Sequence, residues 1–203
     1  DPGDTNTSSQ LGIFIIPGTK QTGVLTNPEY DYSQLGETWS DPRIFRIPNN
    51  GAGDNNILDD IYVAAMGGGY GTQFEGVGSN LTLINLEDDT NPMSLYKRIE
   101  IEDTAGKDGS DIVNSVPSSI VLITPDTAQG IDFSGGLAYV SDLEGKITKI
   151  NLTNMADDGD GNKIQLYDQT SLFNAGSSKA NGRYMYHAMD ATIGGTTNNM
   201  WLY

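Results

Sequence analysis

The feature that most limits what this chain can become is a rhythm of short β-type runs that fall into groups of four. The first group is WSDPRIFRI (39–47), IYVAAMG (61–67), LTLINL (81–86) and LYKRIEI (95–101). The second is VPSSIVLI (116–123), LAYVSDL (137–143), KITKINL (146–152) and KIQLYDQ (163–169). A third begins with YMYHAMDATI (184–193) and MWLY (200–203) and stops there. LTLINL alternates residue by residue, as a strand with one buried face does. IVLI is apolar on both faces, which suits a strand inside a stacked sheet. Helix is not an alternative. Only 7 Glu and 7 Lys occur, and no window carries apolar residues at i, i+3, i+4 and i+7 for three turns.

The groups resemble one another. Tyr62-Val63 and Tyr139-Val140 stand 77 residues apart in the second run of each group, and Ile84-Asn85-Leu86 and Ile150-Asn151-Leu152 stand 66 apart in the third. Equivalent strands at variable spacing describe a repeated four-strand unit with loops of changing length. The expected fold is therefore all-β: a partial β-propeller of four-stranded antiparallel blades with long inter-strand loops. An ordinary β-sandwich is the alternative. Residues 1–38 read as a lead-in strand (LGIFIIP, ended by Pro17) and an irregular segment, and 39–203 as the propeller segment. Its blades are 39–101, 116–173 and an incomplete 184–203. Two and a half blades do not close a ring, so the expectation is a fragment, or a chain whose partner blades come from elsewhere.

Charge narrows the function. With 27 Asp+Glu against 11 Lys+Arg, a net −16 repels nucleic-acid phosphates and anionic lipid. The absence of Cys removes disulfides, thiolate metal sites and Cys nucleophiles. No apolar run approaches the ~20 residues of a membrane-spanning helix. The acids are uneven: many lie between strands, at 54–60, 102–111 and 157–160. Acidity thus belongs to loops decorating a scaffold.

Five segments follow one another in order: LGETWSDPRIF (35–45), IYVAAMGGGYG (61–71), NLTLINLED (80–88), SVPSSIVLI (115–123) and LAYVSDLEGKITKINL (137–152). This ordered set resembles the C-terminal propeller of the PilC/PilY family, the adhesins at the tip of bacterial type IV pili. The resemblance covers 35–203. It implies a non-enzymatic, extracellular module at the pilus tip or outer surface of a Gram-negative bacterium, acting in surface attachment and pilus assembly. The implied partners are minor pilin subunits or further segments of a longer chain, and a host or abiotic surface, with no nucleic acid and no membrane insertion. Some members carry a calcium loop of the pattern Asp-x-Asp-x-Asp-Gly between the Ser-x-Pro-Ser strand and the Tyr-x-x-Asp-x-x-Gly hairpin. Here only Asp126 and Asp132 remain as carboxylates in that stretch, and Thr124 and Ala128 stand where the family has acids.

Calcium is the only cofactor expected. Besides Asp126 and Asp132, the loop NMADDGDGNK places Asp158, Asp160 and Asn162 at i, i+2, i+4, the spacing that turns oxygens inward on a tight loop. Lys163 stands where the usual Gly belongs and Gln169 where a bidentate Glu belongs, so an Asp/Gly-rich hairpin tip explains the same residues. GAGDNNILDD (51–60) is a third acidic loop of this kind. GGGYG (67–71) lacks the Lys-Ser/Thr of a phosphate loop, and its glycines read as a place of close backbone approach. His187, the only His, has neither a Gly-x-Ser-x-Gly elbow nor other His to work with. Trp39, Tyr62, Tyr139, Tyr184, Tyr186 and Trp201 read mostly as strand residues packed between blades. Two other readings are a generic secreted β scaffold of a filament or cell surface, and a quinone-dependent dehydrogenase-like propeller. The second resembles enzymes that use a vicinal Cys pair, which this chain lacks.

Overall fold

A computed structural model of the chain describes residues 28–49, 59–71, 77–101, 114–124, 135–153, 166–177, 180–193 and 200–203. The described residues are all-β, with no α-helix among them. Strands β1 (Arg43–Ile47), β2 (Ile61–Gly67), β3 (Asn80–Asn85) and β4 (Leu95–Glu100) form one four-stranded sheet in the order β1-β2-β3-β4. Strands β5 (Val121–Ile123), β6 (Leu137–Ser141), β7 (Lys146–Asn151) and β8 (Gln169–Asn174) form a second in the order β5-β6-β7-β8. Strands β9 (Ala191–Ile193) and β10 (Met200–Leu202) make a separate hairpin. Every neighbouring pair is antiparallel.

The two sheets share one core. Phe45, Val63, Ala65, Leu81 and Leu83 lie on one face of the first sheet, as their pairing register requires, and cluster with Ala138, Val140 and Ile150 from one face of the second. The sheets therefore stack face to face, and burial of these aliphatic side chains, at roughly 1.5–3 kcal/mol each, is what holds them together.

Backbone bonds show that the sheets repeat one plan. Asn85 and Asn151 end β3 and β7 with the same Asx turn: Asn85 Oδ1 accepts from Glu87 N (2.9 Å) and Asn151 Oδ1 from Thr153 N (3.2 Å). Leu86 N donates to Tyr62 O (3.0 Å), and Leu152 N to Gly136 O (2.9 Å). Gly68 N donates to Asn80 O (2.7 Å), and Asp142 N to Lys146 O (3.1 Å). Ile44 opposes Ala64 as Leu122 opposes Ala138.

These matches correct part of the sequence reading. Tyr62 corresponds to Gly136 and not to Tyr139, so the Tyr-Val pairs are not equivalent positions. The environments differ accordingly: Tyr62 is 45% exposed and Tyr139 is 1% exposed. The expected strand at 163–169 is displaced. Leu166 and Tyr167 form a turn and β8 starts at Gln169. Tyr167 takes a left-handed φ of 75°, its N–H bonds Asn151 O (2.7 Å), and its ring lies 4.5 Å from the Lys97 ammonium. The true strand, QTSLFN, is almost wholly exposed and so carries no alternation to read. The run 184–193 also shrinks, since only Ala191–Ile193 is strand.

The glycine run is a point of close approach, for which its composition is required. A Cβ on Gly67 would sit 2.6 Å from Val116 O, at the joint with the second sheet. Gly69, with φ +92°, donates its N–H to the same Val116 O at 2.8 Å.

Candidate functional site

Among the described residues, each unit opens on a strand that has a sheet partner on one side only. β1 pairs β2, β5 pairs β6 and β9 pairs β10. These three opening strands meet around one cavity of about 640 Å³. Pro42 and the first β1 residues Arg43 and Ile44 line it, with Val121, Leu122 and Ile123 of β5 and the following Thr124, and Met189, Asp190 and Ala191 where β9 begins. A wall of strand edges offers backbone N–H and C=O groups, here flanked by one cation, Arg43, and one anion, Asp190. Asp190 is held in place: its Oδ1 accepts from Ala191 N (2.8 Å), and its backbone exchanges two bonds with Tyr203.

Ser residues before β1 and β5 make matching side-chain contacts. Ser40 Oγ accepts from Gly67 N (3.0 Å). Its counterpart Ser118 meets Ser141 Oγ at 3.3 Å, and Ser141 Oγ also donates to His187 O (3.2 Å). His187 thus contributes its carbonyl to the structure, in an irregular segment and not in the strand expected for it.

A buried ionic group lies in the β6–β7 turn. Lys146 Nζ stands 3.5 Å from Asp142 Oδ2 and 3.7 Å from Glu144 Oε2, and the three side chains are 1–6% exposed. Asp142 Oδ1 accepts from Lys146 N at 3.0 Å. Burial pushes the Asp142 carboxyl up from its usual range, while the Lys146 N–H and ammonium pull it down. Gly145 completes the turn with φ +73°, where a Cβ would meet Arg183 O at 2.6 Å. The turn is tied to the residues after β8, since Ala175 N bonds Gly145 O and Ser177 N bonds Glu144 O. Asp142 and Gly145 stand in the Tyr-x-x-Asp-x-x-Gly hairpin of residues 139–145. The legible signal was Asp-x-Glu-x-Lys packed between two apolar strands.

The proposed calcium residues Asp126, Asp132, Asp158, Asp160 and Asn162 all lie outside the described residues. Thr124 is described; it follows β5 and lines the cavity. Among the described residues, no three His, Asp or Glu gather to hold a metal, and no helix is long and apolar enough to cross a membrane.

The aromatic residues depart most from expectation. Of the six, only Tyr139 is buried. Trp39 is 70% exposed and Trp201 60%, and Tyr186, 56% exposed, stacks edge-on with Tyr184 at 6.0 Å. Trp39, Tyr184 and Tyr186 lie outside strands. No protein family, curated protein or solved structure matches the chain.

Proposed function

We propose that the chain is a section of an extracellular β-propeller of the PilC/PilY kind, a binding module of a type IV pilus tip that acts in surface attachment and pilus assembly without catalysis. The observation that carries the propeller part is the convergence of three successive opening strands on one cavity. Blades arranged about an axis bring their innermost strands together in this way, whereas the two sheets of a sandwich do not. Two stacked four-stranded sheets in sequential order, with a third unit begun, agree with it. The pilus part rests on the ordered set of five segments between residues 35 and 152. In this reading the stacked sheets are a rigid frame, and the acidic loops between strands are the surface offered to minor pilins or to a substratum.

The test is deletion of residues 35–203 from the protein in piliated cells. The reading predicts loss of surface pili and of attachment. Normal piliation and attachment after the deletion would refute it.

A further inference from the structure

The outer face of the β1–β4 sheet has the composition of a docked face. Position by position, Ile44, Ala64, Met66, Thr82 and Ile84 on that face match Leu122, Ala138, Val140, Thr148 and Ile150 in the second sheet. The latter set is the face by which β5–β8 lies on β1–β4: Ala138, Val140 and Ile150 belong to the shared core, and Leu122 packs against it. On the first sheet Ala64 and Thr82 are buried, and the other three positions are partly or largely open. Ile44 is 67% exposed, Met66 and Ile84 are half-buried, and Tyr62 lies beside them with Arg46 at 5.9 Å from its ring.

The segment leading into each sheet repeats the contrast. In the joint between the sheets, Gly69 N, Trp39 N and Asp41 N donate to Val116 O (2.8 Å), Pro117 O (3.1 Å) and Ser119 Oγ (2.9 Å). Counting back by the Ile44–Leu122 match, the receiving residues correspond to Thr38, Trp39 and Asp41 of the first unit. Among the described residues, no donor reaches the Thr38 and Trp39 carbonyls. Pro117 is buried, while Trp39 in the matching place is open.

We propose that this outer face, with Thr38, Trp39 and Asp41 at its border, docks a further four-stranded antiparallel sheet of the same repeat. That sheet presents to it the kind of aliphatic face that Phe45, Val63, Ala65, Leu81 and Leu83 present to β5–β8. It also donates N–H groups to the Thr38 and Trp39 carbonyls and to the Asp41 carboxylate, whose Oδ2 already accepts from Ser119 Oγ at 3.4 Å. The inference rests on the repeated-unit part of the function proposed above and not on the pilus assignment.

The absence of native Cys makes thiol labelling a clean readout. Ile44→Cys and Trp39→Cys, both at exposed positions, are compared with Asp89→Cys in the β3–β4 turn, in the protein purified from its own cells and in the 203-residue chain alone. N-ethylmaleimide is the probe. The expected result is that thiols 44 and 39 react as fast as thiol 89 in the 203-residue chain and roughly a hundredfold slower than it in the purified protein, as for a site reached only by local opening. Equal rates in both preparations would overturn the proposal. So would protection already present in the 203-residue chain, whether abolished by removing residues 1–27, which makes that segment the cover, or lost on dilution, which makes a second copy the cover. Antibody labelling away from pilus ends would remove the pilus assignment and leave these rates unchanged.

Discussion

Replacing Lys146 by Met takes away the only cation of the buried turn and keeps most of the side-chain volume. Asp142 and Glu144 then face each other with their ammonium gone, at positions where all three side chains were 1–6% exposed. At separations of 3.5 and 3.7 Å each attraction is worth about 4–5 kcal/mol for an effective dielectric near 20. Desolvation offsets much of this, and removing one partner of a buried pair costs ~3–5 kcal/mol. Lys146→Met is therefore expected to lose ~3–5 kcal/mol, a fall in Tm of roughly 6–20 °C for a domain of this size. The loss depends on pH with a definite sign. Burial already raises the Asp142 carboxyl in the folded chain, so its contribution is favourable below its unfolded value of about 4 and fades as pH rises through the folded one. Without Lys146 that carboxyl rises further, so the deficit of the variant is largest at neutral pH and shrinks toward pH 4. Urea melts of both proteins at pH 7 and pH 4.5 measure it. A deficit below about 1 kcal/mol at pH 7, or equal deficits at both pH values, would refute the assignment of a buried, coupled charge group.

Gly67→Ala places a methyl 2.6 Å from the Val116 carbonyl and is expected to cost ~1–3 kcal/mol in a chemical melt, because backbone in the facing sheet must move. Asn151→Ala removes a buried Asx turn that also holds Thr153 Oγ1 at 2.7 Å, and should cost ~1–3 kcal/mol; Asn85→Ala, in the more open matching turn, should cost about 1 kcal/mol or less. Calcium held by Asp158, Asp160 and Asn162 predicts a Tm several degrees higher in millimolar calcium than in chelator, about 2.7 kcal/mol at a hundredfold excess over Kd; an unchanged melt removes the loop as a calcium site.

The strands that pack on both sheets were legible in the sequence, because burial imposes a pattern there. IYVAAMG, LTLINL and KITKINL fall within a residue or two of β2, β3 and β7. The Asn of each Ile-Asn-Leu also marked a true structural repeat, since the turn it closes needs that side chain in both places. β8 was not legible: an exposed outer strand has no face to encode, and Tyr167 turned a false alternation away from the sheet. The aromatics misled for the converse reason. Apolar composition says that a residue favours burial, yet Trp39 and Trp201 are 70% and 60% exposed. The cavity was beyond sequence reasoning altogether, because Arg43, Leu122 and Asp190 meet only through the stacking of three units.

The most direct test of the central claim is immunogold microscopy of intact piliated cells with antibody raised to residues 35–203. A propeller section of a pilus-tip adhesin predicts gold particles at pilus ends. Particles spread along fibres or over the cell body would contradict it and favour a general surface scaffold.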